Sequence, residues 1–198
     1  MEPHKPCSNI NELRNMNIVI KQILAGNSIL LIDDMDHAFQ FHSAKSVGRD
    51  ISELAVERSI RGPKEGFVED IQLNLLLIRR KLQLPSLKVE KMVLGRQTNT
   101  QINIVYLKRI ADEDIVREVQ QRLSRIDIDG ILDSPYIESM IKDSPKSPFP
   151  TMFSTERPDR VCGGLLDGKV AVLIDGTPFV LTVPALFVEF LHSSEELL

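Results

Sequence analysis

The chain has 198 residues, with 24 basic and 28 acidic side chains, a formal net charge of −4 and an apolar content of 42%. This composition excludes a disordered or fibrous protein, because apolar residues are numerous enough to build a core. The acidic balance argues against non-specific binding to nucleic acid. Two cysteines and no secretory segment near Met1 exclude a disulfide scaffold and indicate a reducing compartment.

The first elements predicted are a helix and a hairpin. Asn9 followed by Glu12 resembles a capping box, and apolar residues at helical spacing continue towards Gly26, so a helix is predicted over residues 10–25. A hairpin follows, formed by the apolar run 28–32 and the alternating segment 38–42. The polar and charged residues 46–66 indicate a loop.

The middle of the chain alternates between helices and strands. A central helix is predicted from residue 67 to 82, because apolar side chains cover much of its circumference. Strands at 87–94 and 101–107 come next, and the acidic residues 112–114 begin another helix. Its buried stripe comprises Ile115, Val116, Val119 and Leu123. Ser134 and Pro135 begin a short helix, and the proline-rich residues 143–150 form a linker.

The last segment predicts a short strand, a short helix, a hairpin and a final helix. The hairpin joins residues 169–174 to 178–183 around Asp175 and Gly176, and the final helix covers 184–191. Residues 170–174 are apolar on both faces, which predicts a central place in a sheet or coverage by a partner. Pro178 and Pro184 exclude a membrane-spanning helix here.

These elements predict an α/β fold of two small lobes. Each lobe has a mixed sheet with flanking helices, and a cleft lies between them, as in a small substrate-binding protein. Residues 1–85 and 146–198 form the first lobe, and residues 86–145 the second. The alternative is one continuous domain over residues 8–192.

No catalytic constellation stands out, so the chain is not expected to be an enzyme. Residues 163–170 have the spacing of a phosphate-binding loop, but Val170 lacks the hydroxyl that would bind magnesium. The four histidines lie at no metal-ligand spacing, and the acidic clusters lack the calcium-loop pattern. No cofactor and no metal are therefore expected.

Four polar residues in unusual settings are the candidate ligand contacts. Asn74 lies within an apolar run, where a buried amide needs hydrogen-bond partners from the backbone or a ligand, and Asn103 is a candidate because of its polarity and its position relative to the predicted hinge. Arg157 and Asp159 follow the predicted hinge, where they could bind a carboxylate and an ammonium group. For each of them, a structural role is the alternative.

Three segments carry a resemblance to the A subunits of bacterial spore germinant receptors, the GerA-type family. Residues 61–80 read RGPKEGFVEDIQLNLLLIRR. Phe149 and Pro150 are followed by TERPD at residues 155–159, and residues 166–180 read LDGKVAVLIDGTPFV. Each is similar to a long signature of that family. The departures are small: Lys64 replaces an arginine, and Thr151 stands where the family usually has glutamine.

The resemblance implies a cytoplasm-facing N-terminal domain of a protein that continues into membrane spans of the spore inner membrane. It implies B and C subunits as partners, and a small germinant such as an amino acid or a sugar as ligand. Either this domain binds the germinant between its lobes and signals to the membrane part, or it is an assembly module. In the second case it would form homo-oligomers or dock to the other subunits through its apolar C-terminal hairpin and helix.

Overall fold

The computed structural model describes residues 10–41, 65–131, 134–141 and 152–185. The chain divides into two compact units, one of residues 1–49 with 83–85 and one of residues 50–82 with 86–198. Within the four described ranges, no helix has the length and apolar character needed to span a bilayer. The predicted loop 46–66, the linker 143–150 and the helix 184–191 lie largely outside the described residues.

The first unit contains a three-stranded antiparallel sheet and one helix. Its elements are β1 (Ile10–Leu13), α1 (Met16–Leu24), β2 (Ser28–Leu30) and β3 (Ala38–Phe41), with β3 in the centre of the sheet. The predicted hairpin 28–42 is confirmed as the β2–β3 pair. The helix begins later than predicted, because Asn15 caps it through a 2.9 Å hydrogen bond from the Asn17 N–H.

The second unit is built on a five-stranded sheet. Its elements are α2 (Ile71–Lys81), β4 (Leu87–Leu94), β5 (Thr100–Leu107), α3 (Glu113–Ser124), α4 (Ser134–Ile141), β6 (Phe153–Thr155), α5 (Pro158–Leu166), β7 (Val170–Ile174) and β8 (Val180–Val183). The strand order is β4-β5-β7-β8-β6, and every pair is antiparallel. The prediction of mixed sheets is therefore wrong for the described strands.

Helices cover both faces of this sheet. On one face, Ile104 and Val172 pack in a buried cluster with Val119 and Leu123 of α3 and Ile137 of α4. Asn103 and Leu173, which are register partners, point to the other face, because side chains alternate along a strand. Helices α2 and α5 pack together and contact β7 on that face. The result is three layers, with β7 buried at every position, as its two-sided apolar pattern predicted.

The division into units differs from the predicted lobes. Strand β5 pairs with β7 from Ile102↔Ile174 to Val105↔Ala171, so residues 86–107 and 153–183 share one sheet. The segment 86–145 is therefore not a lobe of its own. Two proline-containing breaks suggested the boundaries, whereas pairing between distant strands decides them. The ligand cleft between lobes stays a prediction.

Candidate functional site

The predicted contacts Arg157 and Asp159 bind each other at the start of α5. Arg157 Nε and Nη2 donate to the two carboxylate oxygens of Asp159, at 3.2 and 2.6 Å. The Arg157 side chain is 11% exposed and that of Asp159 33%. Burial alone would raise the pKa of the Asp159 carboxyl, but the hydrogen bond and charge of Arg157 and nearby backbone N–H groups outweigh it and lower that pKa. The pair thus stabilises the first turn of α5.

Asn74 anchors the segment that precedes α2. Its side-chain amide donates to the Val68 carbonyl at 2.5 Å, and its side-chain oxygen accepts from the Val68 N–H at 2.8 Å. The neighbouring Phe67 N–H donates to the Glu156 carbonyl at 2.9 Å. Asn74 and the residues just before α5 therefore hold the same extended segment. The buried amide that the sequence singled out has its partners in the backbone.

Asn103 is buried in the centre of β5, with 0% of its surface exposed. Neither its side-chain nitrogen nor its oxygen has a hydrogen-bond partner among the described residues. A buried amide without hydrogen-bond partners lowers the stability of the folded state unless a group outside the described residues bonds to it. Asn103 lies on the sheet face covered by α2 and α5, but no hydrogen bond joins it to Arg157, Asp159 or Asn74.

A groove on the opposite face of the sheet, between β4 and α3, holds a polar cluster. Tyr106 Oη donates to Glu90 Oε1 at 2.6 Å, and Gln120 Nε2 donates to Glu90 Oε2. The hydrogen bond to Glu90, together with burial and the charges of Glu90 and Glu113, raises the pKa of Tyr106 to about 12. The tyrosine therefore keeps its proton, and two donors orient one carboxylate.

A cavity of about 560 Å³ lies against this cluster. Glu90 and Gln120 line it together with Arg117, and Met92 and Ile104 supply apolar surface. Pockets that bind small molecules have volumes of about 300–1,000 Å³ and combine apolar walls with a few placed polar groups. The groove could thus hold a small polar molecule. The Glu90 carboxylate would bind a cation or hydroxyl groups, and the Arg117 guanidinium would bind an anion.

The site residues predicted from the sequence do not include Glu90, Tyr106 or Gln120. Ile102, Ile104 and Tyr106 share one face of β5 by simple alternation, but the register that places Glu90 opposite Ile104 is visible only in the folded sheet. The position of Gln120 depends further on how α3 packs. No group of three His, Cys, Asp or Glu residues suited to a metal ion occurs within the part of the chain that the structure describes.

Comparison with known proteins identifies the class of protein to which this chain belongs. The fold is similar to the crystal structure of the N-terminal domain of the A subunit of the Bacillus megaterium spore germinant receptor GerK3, with a TM-score of 0.66 and 38% identity over 90% of this chain and 64% of that chain. The whole chain, residues 1–198, matches the family described as Bacillus/Clostridium GerA spore germination protein.

Curated relatives agree with this assignment. The chain is 43% identical over 196 residues to Spore germination protein KA of Bacillus subtilis (strain 168), covering 99% of this chain and 36% of that protein. It is 38% identical over 193 residues to Spore germination protein B1 of the same organism, covering 98% of this chain and 39% of that protein. The chain belongs to the GerA family of spore germination proteins and spans little more than a third of the length of these relatives.

Proposed function

We propose that this chain is the cytoplasm-facing N-terminal domain of a germinant receptor A subunit of the spore inner membrane, and that it binds a small germinant, an amino acid or a sugar. The groove between β4 and α3 supports this proposal. It presents one oriented carboxylate, Glu90, one guanidinium, Arg117, and apolar surface in a cavity of about 560 Å³. An amino acid would place its ammonium group near Glu90 and its carboxylate near Arg117, where it would compete with Asp114, the present partner of that guanidinium.

Germinant binding would act as a signal only if the germinant binds one conformation of the receptor more tightly than another. Helix α3 carries Arg117 and Gln120, whereas β4 carries Glu90, so one ligand would contact two separate elements. A shift of α3 against β4 is then the conformational change to which binding is coupled. The signal would pass to the membrane part of the receptor and to its B and C subunits.

The test is a two-dimensional amide NMR titration of the 198-residue chain with a panel of amino acids and sugars. Saturable shifts at β4 and α3 are expected with at least one compound. Glu90→Gln should weaken that binding, whereas Glu69→Gln, an exposed carboxylate before α2, should leave it unchanged. Saturable shifts at Arg157 and Asp159 instead would support germinant binding at the contacts predicted from the sequence. A well-folded chain that shows no shift with any compound would refute germinant binding here.

A second candidate function, an assembly module, is favoured by the surface of the first unit. Large apolar side chains there are 37% to 63% exposed: Ile10, Met16, Ile18, Ile20, Ile23, Leu30, Leu31, Ile32 and Met35. The predicted docking surface comprised the C-terminal hairpin and the final helix: strands β7 and β8 of the hairpin are buried in the sheet, and the helix lies largely outside the described residues. Co-purification of full-length A subunit with B and C subunits, with Met16→Glu in α1 compared with Met140→Glu in α4, would test this function.

A further inference from the structure

A second cavity, of about 270 Å³, lies next to the groove and is surrounded by basic side chains. Lys88, Lys108 and Arg109 line it, together with Tyr106 and Glu113. The chain as a whole carries a net charge of −4. A concentration of three cations around one cavity is therefore contrary to the average charge of the protein.

Strand β4 and the turn after β5 bring these cations together. Lys88 of β4 is the register partner of Tyr106 of β5, so both side chains lie on the face that carries α3. Lys108 follows the end of β5, where its N–H donates to the Ser86 carbonyl at 2.9 Å. Arg109 lies in the tight turn before α3 with a φ of 75°, a left-handed conformation that a non-glycine residue rarely adopts.

None of these three cations is neutralised by a neighbour within the described ranges. Lys88, Lys108 and Arg109 form no ion pair there, whereas Arg117, at the border with the groove, pairs with Asp114. Glu113 is the one carboxylate lining the cavity in this part of the chain. Three positive charges against one negative charge leave a net charge that matches a doubly charged anion. A cleft lined by one sign of charge concentrates ions of the opposite sign.

We propose that this cavity is an anion site that binds a phosphate group. Arg109 can donate two parallel hydrogen bonds to phosphate oxygens, and the two lysines can act as point charges beside it. The phosphate could belong to a free phosphorylated metabolite or to a phospholipid headgroup, since both present the same dianionic group. This site adjoins the germinant groove, with Arg117 and Gln120 in the lining of both, but the three cations that define it do not line the groove.

The test uses the 198-residue chain, inorganic phosphate as the probe and amide NMR at constant ionic strength. Phosphate should give saturable shifts at residues 106–113 and at Lys88, and sulfate should compete, whereas singly charged acetate should not. Arg109→Gln should weaken phosphate binding about fivefold, the upper end for an exposed ion pair. Arg79→Gln, which removes the same charge from an exposed position on α2, should have no effect.

A vesicle experiment identifies the source of the phosphate, and a second variant distinguishes specific binding from a general effect of removing a charge. Flotation with phosphatidylcholine vesicles containing phosphatidic acid, compared with phosphatidylcholine alone, should recover the protein in an Arg109-dependent manner if the group belongs to a lipid. If soluble phosphate binds but those vesicles do not, the ligand is a metabolite. Lys108→Gln provides a second variant of the same site. Equal effects of Arg109→Gln and Arg79→Gln, or the absence of saturation, would overturn the proposal.

Discussion

The guanidinium of Arg157 forms two hydrogen bonds to the carboxylate of Asp159, two residues further along the chain, at 3.2 and 2.6 Å. Removing Arg157 leaves a half-buried carboxylate without this partner. We therefore expect Arg157→Ala to lower the free energy of unfolding by about 1–3 kcal/mol, less than for a fully buried pair because Asp159 is partly exposed. Urea denaturation of Arg157→Ala, Asp159→Asn and the double variant would measure the coupling. Additive single effects would contradict it.

The same pair predicts a pH dependence. Because the pKa of Asp159 is lower in the folded state than its ordinary value of 3.8, its contribution to stability is complete above that value. The contribution is lost as the pH falls through the folded-state pKa. The penalty of Arg157→Ala should therefore be smaller at pH 3 than at pH 7. Denaturation at the two pH values checks this, and an equal penalty at both would exclude an ionic interaction.

Substitution by valine should change the free energy of unfolding in opposite directions at the two buried asparagines. Asn103→Val removes an amide that has no hydrogen-bond partner among the described residues, so we expect the free energy of unfolding to rise by about 1–2 kcal/mol. Asn74→Val removes two hydrogen bonds to Val68 and leaves backbone groups without partners, so we expect a loss of about 2–4 kcal/mol. Urea denaturation measures both. A loss of stability in Asn103→Val would mean that its amide has a partner beyond the described residues.

Tyr106 offers a direct optical test of the Glu90 cluster. The chain has two tyrosines and no tryptophan, so in a Tyr136→Phe background the ultraviolet absorbance of tyrosinate reports on Tyr106 alone. Its midpoint should lie near pH 12, and Glu90→Gln should move it down towards 10. The raised pKa also means that this hydrogen bond stabilises the fold fully below pH 10 and is lost between pH 10 and 12. A midpoint near 10 in the parent would show that the bond to Glu90 is absent.

Cys162 should be chemically inert in the folded chain. Burial, assisted by the charge of Asp159 and opposed by Lys81, raises the pKa of its thiol to about 11. The thiolate is the reactive form, so alkylation at pH 8 should be about a hundredfold slower than for a thiol with the usual pKa of 9.0. Iodoacetamide labelling in a Cys7→Ser background, with and without urea, measures this rate. Rapid labelling without urea would show that α5 opens locally.

The sequence predicted the elements whose signals are local. The acidic residues 112–114 and the apolar stripe after them mark α3, which runs from Glu113 to Ser124. Strand β4 has the predicted limits, β5 begins one residue earlier than predicted, and α2 is shorter than predicted because Asp70 caps it at Ile71. In each case the deciding contacts are between near neighbours in the chain.

Features that depend on distant pairing were not predictable in this way. Local periodicity does not indicate that β5 pairs with β7, so a division of the chain based on sequence follows the proline-containing breaks instead. The sequence predicted a buried amide at Asn74 and selected Asn103 only for its polarity and position, and only the fold shows that Asn74 bonds to the backbone whereas Asn103 is buried with no partner among the described residues. The Glu90 cluster depends on the register between β4 and β5 and on the position of α3, and neither can be predicted from a single segment of the sequence.

The β5–β7 pairing also constrains how the chain can fold during its synthesis. The paired residues are more than 60 positions apart, so the edge of β5 that pairs with β7 has no partner until β7 has left the ribosome. Contacts between such distant segments form slowly, and an open strand edge can pair with another chain in the meantime. Truncated versions that end before β7 would keep this edge open permanently and should aggregate, whereas versions that include β8 can complete the sheet.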